Sequence, residues 1–505
     1  MLYVENNNFD CLNKSIKTTQ NMAGGIGGSY SKKVGFIYIF NIVIGAGALT
    51  LPFAFKQAGL IAGTLVLAFM GLIAFVCVTF VIEAMSASNA LLKKTESELA
   101  KEEVEDSAIN VPVYLHSLRN SDNTVIQEIT PKRFQEITPL VGSKMQSTQL
   151  EDVEYEMNPY AITIRTELGL MAEQFLGPVG KALFYIVVIF YLFGDTAIFA
   201  VVVPKTVMKA SGNFYGLSEG LTHALYVAIF GLVVVPFSFF NFQKTKYLQI
   251  FTLITRNVAL LSMILLSIIH IVEISSSGKK IFDNIKWFDG KGLAVLFGSS
   301  IYAFMCHHSL PAIVSPIKSK KGLSLLFFGD FGFIFITYTV LCWVALFAFN
   351  DAKLDTCPNR ITPGPACQIQ DMFHLNFTTY KFQPLAAFIS LFPVFTLTTN
   401  YPLIAITLRN NLQTLLKPWK AFDEFKYSGI AGTGVQFIFP ALLVIFSRRK
   451  LQNQKSSEVV HRSPFGHNIW AYAVLLFGVG CAIFNLVMMI LDLTSGNKKK
   501  GSSGH

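Results

Sequence analysis

Ten apolar runs separated by polar stretches make up most of this chain. They cover 34–56, 60–86, 178–209, 221–240, 248–273, 292–314, 323–349, 382–406, 427–447 and 468–492. A helix needs about 20 apolar residues to cross the hydrocarbon core of a bilayer. The pattern predicts an all-α, polytopic membrane protein with about ten spans.

Two of the runs are interrupted. The first, VGFIYIFNIVIGAGALTLPFAFK, has Gly45, Ala46 and Gly47 at its centre and Pro52 beyond them. The sixth carries Gly298-Ser299-Ser300 in its first half and Pro311 in its second. Gly and Pro weaken a helix where no water can satisfy the freed backbone groups. Such a break survives only against protein or a cavity. It exposes N–H groups on one half-helix and C=O groups on the other, which suit a carboxylate and a cation. The competing reading is plain packing, because Gly and Pro are common in membrane helices. Gly45-x-Gly47 is not a nucleotide fingerprint, since it lacks a third Gly and a strand–turn–helix setting.

The polar segments divide the chain. Residues 1–33 form a tail expected to be cytoplasmic, with no apolar signal region. The first two spans, 34–86, lead into 87–177. Its part 87–160, with KKTESELAKEEVED, reads as an acidic, largely disordered cytoplasmic loop. Spans three to eight fill 178–406, interrupted by the polar loop 350–381. That loop holds Cys357, Cys367 and the sequon Asn376-Phe377-Thr378. A glycan on Asn376 and a disulfide between the two Cys fit a lumenal or extracellular loop. A basic junction, 407–426, precedes the last two spans in 427–492 and the tail 493–505.

Orientation follows from Lys and Arg in the short loops. With the N-terminus inside, 241–247, 315–322 and 407–426 are basic and cytoplasmic, and the sequon loop lies outside. The segment 447–462 breaks this pattern. Ten spans place it outside although it holds five Lys or Arg. One further span between 412 and 428 would bring it inside, so a helix is expected to be missing there.

Composition narrows the class without changing this picture. The chain has 505 residues, 52% of them hydrophobic, 14% charged and 46 of them Phe, which excludes soluble classes. Its formal charge of +10 sits mostly in short loops as an orientation signal, not a nucleic-acid surface. Seven scattered Cys show no metal spacing. No nucleophile, base or metal constellation points to an enzyme, and no cofactor is expected.

FNIVIGAGALTLP (40–52), FYLFGDTAIFAVVVP (190–204), FNFQKTKYLQIFT (240–252), YAFMCHHSLP (302–311), LFPVFTLTTNYPLIAITLRNN (391–411), GIAGTGVQFIFPA (429–441) and HRSPFGH (461–467) follow one another along the membrane part. Together they resemble the amino acid/auxin permease family of secondary transporters. The resemblance implies a symporter-like fold, in which five helices repeat as an inverted second five and an eleventh follows. Helices 1 and 6 open the two repeats and are unwound near the midplane. This chain departs from that plan between Leu415 and Gly429, where a ninth helix and the start of a tenth are absent.

Within this frame, the backbone of Ile44, Gly45, Ala46, Gly47, Ala48 and Leu49 would receive a solute carboxylate. Gly298, Ser299, Ser300 and Ala303 would face its amino group and side chain, with Phe304 as an apolar lid; small-residue packing is the alternative. Thr396, Thr399 and Asn400 offer oxygens suited to a hard cation. The resemblance places a sodium site between helices 1 and 8. The alternative is Thr hydroxyls bonded to their own helix. Asp195, an intramembrane carboxylate costing ~3 kcal/mol or more to bury, should face a cavity or partner. It is a candidate proton-coupling group or a structural partner of Arg256. His307 and His308 are adjacent and point apart, which disfavours a metal pair.

These features lead to a secondary transporter of amino acids or similar solutes, coupled to Na⁺ or H⁺ and working by alternating access. Its partners are the solute, the ion and membrane lipid. A rival reading keeps the fold in a non-transporting nutrient sensor that binds a cytosolic partner through 87–160, or in an inactive isoform. The sequence does not choose between the plasma membrane and an endolysosomal membrane.

Overall fold

The computed structural model describes residues 29–45, 47–109, 158–211, 218–234, 246–276, 285–349, 368–378, 380–416, 434–451 and 461–501. These residues are mostly helical. Among them, five helices are long and apolar enough to cross a membrane, or six when one bent pair is taken as a single span.

That bent pair is the first run. Helix α1, Lys32–Val43, and α2, Gly47–Ala58, meet at 55°. Gly59 then turns the chain at φ +95° into α3, Leu60–Ile109. Only glycine fits that turn, because a Cβ there would lie 2.7 Å from the Phe288 nitrogen. Helix α4, Leu168–Ser211, kinks at Gly177 (φ +72°). Helices α5, Glu219–Val234, and α6, Lys246–Ser276, follow. The sixth run is again two pieces, α7, Leu293–Ala303, and α8, Leu310–Val314, joined through a short 3-10 turn, His307–Ser309. Helices α9, Leu323–Ala348, and α10, Gln383–Leu416, come next. A π-turn, Gly434–Ile438, opens α11, Phe439–Lys450, and α12 is Asn468–Gly501.

The bundle has two faces, each tied by its own contacts. At one, Leu60 N donates to Lys286 O (2.9 Å), Asp289 N to Ala58 O (2.7 Å), and Lys56 to Gln368 (3.0 Å). Lys205 pairs there with Asp371. At the other, Tyr30 N donates to Pro316 O and Lys318 N to Tyr30 O, both at 2.9 Å. Glu83 on α3 accepts from Arg448 Nε (2.7 Å), Arg448 Nη2 (2.9 Å) and Ser463 N (2.8 Å). Arg448 thus stands on the face that also holds Tyr30 and Lys318. The ten-span count put 447–462 on the opposite face, and this ion pair corrects it. The suspected missing span at 412–428 falls mostly outside the described residues.

Two boundaries also move. Helix α3 runs past residue 86 to Ile109, so the start of the acidic stretch is helical. Its Lys, Glu, Ala and Leu are strong helix formers, and Lys94 and Glu98 pair across one turn at 3.8 Å. The far end of 87–177 is packed, not loose. Ser86 Oγ donates to Tyr160 O (2.6 Å), and Asn89 Oδ1 accepts from Thr163 N and Ile164 N at 3.1 and 2.8 Å. The rest of that segment, 110–157, lies outside the described residues.

Candidate functional site

A cavity of about 380 Å³ opens where the two broken helices face α4, α6 and α10. It exists because α1 ends at Val43 and α7 ends at Ala303, leaving irregular backbone between the half-helices. Gly45, Gly47 and Leu49 line it from the first break, and Tyr302, Met305, His308 and Ser309 from the second. Tyr191 and Asp195 reach it from α4, Arg256 from α6, and Thr396 and Asn400 from α10.

The two breaks touch. Gly47 packs so closely on α7 that a Cβ there would lie 2.7 Å from Ala303 Cα. Tyr338 of α9, fully buried, holds its hydroxyl 3.1 Å from Val43 O and 3.2 Å from Ala303 O. One phenol therefore serves the last carbonyls of both half-helices, groups that an unbroken helix would satisfy itself.

Asp195 is 5% exposed, and Tyr191 and Tyr302 flank its carboxyl. Its Oδ1 has no hydrogen-bond partner among the described residues. Arg256 shares the cavity but bonds elsewhere, donating through Nη2 to Asn41 O. The ring of His308 lies 5.2 Å from that of Tyr191, whereas His307 Nε2 meets Ala74 O at 3.1 Å, so the two His do point apart. No group of three or more His, Cys, Asp or Glu suited to a metal occurs among the described residues.

Several expected residues are not at the cavity. Gly298, Ser299, Ser300 and Ala303 do not line it; they sit on α7 away from the opening, with Ala303 under Gly47. Phe304 is fully buried, stacked at 5.9 Å on Phe331 and edge-on to Tyr338, so it is a core residue and not a lid. Thr399 is off the cavity, and Ile44 and Ala48 are buried beside it. Ala46 lies outside the described residues. Thr396 and Thr399 hydroxyls donate to Phe392 O (3.0 Å) and Phe395 O (2.9 Å) of their own helix.

The loop features also change. Asn376 is fully buried, its Oδ1 accepting from Gln370 N and its Nδ2 donating to Gln368 O, both at 3.0 Å. A glycan on that nitrogen does not fit this fold, which corrects the glycosylation expectation. Cys357 and Cys367 lie outside the described residues.

Tyr191, Tyr302, Asn41 and Tyr338 were not foreseen. Tyr191 and Asp195 are four residues apart, one helical face, and that spacing was the available signal.

A multi-pass helical membrane protein with a cavity between two interrupted helices, lined by a few polar groups among apolar ones, is the class these features define. Residues 29–98 and 150–359 match the family described as transmembrane amino acid transporter protein. The chain is 39% identical over 502 residues to a transmembrane protein 104 homolog of Dictyostelium discoideum, covering 92% of this chain and 98% of that protein. It is 37% identical over 532 residues to transmembrane protein 104 of Homo sapiens, covering 94% and 100%. A homolog from Drosophila melanogaster is 28% identical over 521 residues, covering 90% and 96%. The chain belongs to the transmembrane amino acid transporter family.

Proposed function

We propose that this protein is a secondary active transporter of amino acids or similar small solutes, coupled to an ion gradient. The observation that carries this reading is the cavity shared by two broken helices and an intramembrane carboxylate. The solute carboxylate would meet the first-turn N–H groups of α2, which begins at Gly47 on the cavity wall. Its amino group would face Asp195, with Tyr191 and Tyr302 orienting the carboxyl. Protonation of Asp195 would remove that counter-charge and release the solute, which is a route to proton coupling. Asn400 and the lone pairs of Thr396 supply oxygens for the alternative, sodium coupling.

The half-helix pairs α1–α2 and α7–α8 would rock against α4 and α10 around the fixed site, as the two arms of an inverted repeat. The test is uptake of labelled amino acids into proteoliposomes under imposed proton or sodium gradients. Gradient-dependent accumulation supports the reading. Saturable binding of an amino acid with no flux under either gradient moves it to a sensor that keeps the fold.

A further inference from the structure

Arg256 brings a guanidinium into the middle of the bundle, and its place there is built. Helix α1 stops at Val43, so the carbonyls of its last turn lose their intrahelical donors. The same end carries the negative pole of the helix dipole. Two side chains, Arg256 and Tyr338, answer this directly, and Asn257 braces the side chain of Asn41. Arg256 Nη2 donates to Asn41 O and lies 3.5 Å from Asn41 Oδ1. Asn257 Nδ2 donates to that Oδ1 at 3.2 Å. Tyr338, which stands beside Arg256, takes Val43 O at 3.1 Å. Arg256 also lines the cavity, and its Nε has no hydrogen-bond partner among the described residues. The Thr396 hydroxyl of α10, across the cavity, is turned to its own helix.

We propose that Arg256 is a resident cation, whose guanidinium fills the cation position at the broken end of α1 so that the site assembles without sodium. An arginine keeps its charge throughout the accessible pH range. The carbonyl end of α1 is then neutralised when the chain folds and not by a dissociable ion. This rests on the transport reading for its meaning, and it leaves the proton as the coupling ion.

The experiment is thermal unfolding of the purified full-length protein in sodium chloride against N-methyl-D-glucamine chloride at equal ionic strength. Wild type is expected to melt at the same temperature in both. Arg256→Met is expected to melt lower in the absence of sodium and to regain part of the loss as sodium is added, while Arg256→Lys stays insensitive. A wild-type melting temperature that rises saturably with sodium overturns the proposal. So does an Arg256→Met protein that melts with wild type and ignores sodium. If Arg256→Met does not fold, the wild-type titration decides alone. The readout needs no flux, so a chain that fails to transport and yet ignores sodium refutes the transport reading and spares this one.

Discussion

Gly47 and Ala303 touch backbone to backbone, and a Cβ on Gly47 would lie 2.7 Å from Ala303 Cα. The contact joins α2 to α7 at the point where both runs break. Gly47→Val should therefore cut amino acid uptake at least roughly tenfold, since ~1.4 kcal/mol of misplacement is already a factor of ten. Gly47→Ala should fall between. The amount of protein extracted from the membrane fraction should match wild type, which separates a damaged site from a damaged fold. Wild-type uptake by Gly47→Val would remove the break from the site.

Asp195→Asn preserves shape and removes the titrating proton. If Asp195 couples protons, uptake driven by a pH gradient should disappear, and the affinity for the solute should fall because the counter-charge to its amino group is gone. A pH profile matching wild type would leave Asp195 a structural residue.

Glu83 and Arg448 form a bidentate pair with side chains 6% and 12% exposed. Removing one partner from such a buried pair typically costs about 3–5 kcal/mol, because the other charge is stranded. Glu83→Gln or Arg448→Met should each lower the melting temperature markedly. Glu83→Gln with Arg448→Met together should recover part of it, because the amide oxygen still accepts from Ser463 N. A single variant that melts with wild type would remove the pair as the tie between α3 and α11.

His374, in the turn Phe373–Phe377 between α9 and α10, is fully buried, and burial pushes its pKa down to about 3. The unfolded chain takes up this proton near pH 6.5, whereas the folded chain resists it. Unfolded molecules then bind more protons, so stability falls as pH drops from about 6.5 toward 3, by at most about 1.4 kcal/mol per pH unit. His461, pushed down to about 4 by burial and the Lys320 charge, acts in the same direction. Melting temperatures measured from neutral to acidic pH should decline, and His374→Gln should flatten the slope. An unchanged slope would place the acid sensitivity elsewhere.

Asn376 has its carboxamide inside the fold. Endoglycosidase treatment should leave the electrophoretic mobility of the expressed protein unchanged. Asn376→Ala should destabilise the 368–378 turn by about 1–3 kcal/mol, the cost of stranding its buried backbone partners. A mobility shift lost in Asn376→Ala would show that the glycan is real and the turn different.

The breaks were legible because Gly45, Gly47 and Pro311 are chemically loud in apolar runs. What faces the breaks was not, because hydrophobic runs with little periodicity do not say which side is inward. Tyr302 and Phe304 are two residues apart, yet the first lines the cavity and the second is core, since the backbone leaves helical geometry after Ala303. The extension of α3 to Ile109 was hidden for a different reason. Lys, Glu and Asp read as solvated loop, while the same residues continue a helix once a buried span has nucleated it. The end of the bundle at which Arg448 lies was a matter of counting spans, and its ion pair with Glu83 answers that more directly than any count.

A phenol has one hydrogen, and Tyr338 stands between two carbonyls at nearly equal distance. It can bind Val43 O or Ala303 O fully, but not both at once. Whichever half-helix holds the proton is clipped to α9, and the other is left with an idle acceptor. The two arrangements differ by a hydroxyl rotation. Tyr338→Phe would lose the clip while keeping the ring, and both carbonyls would then be left without the phenol.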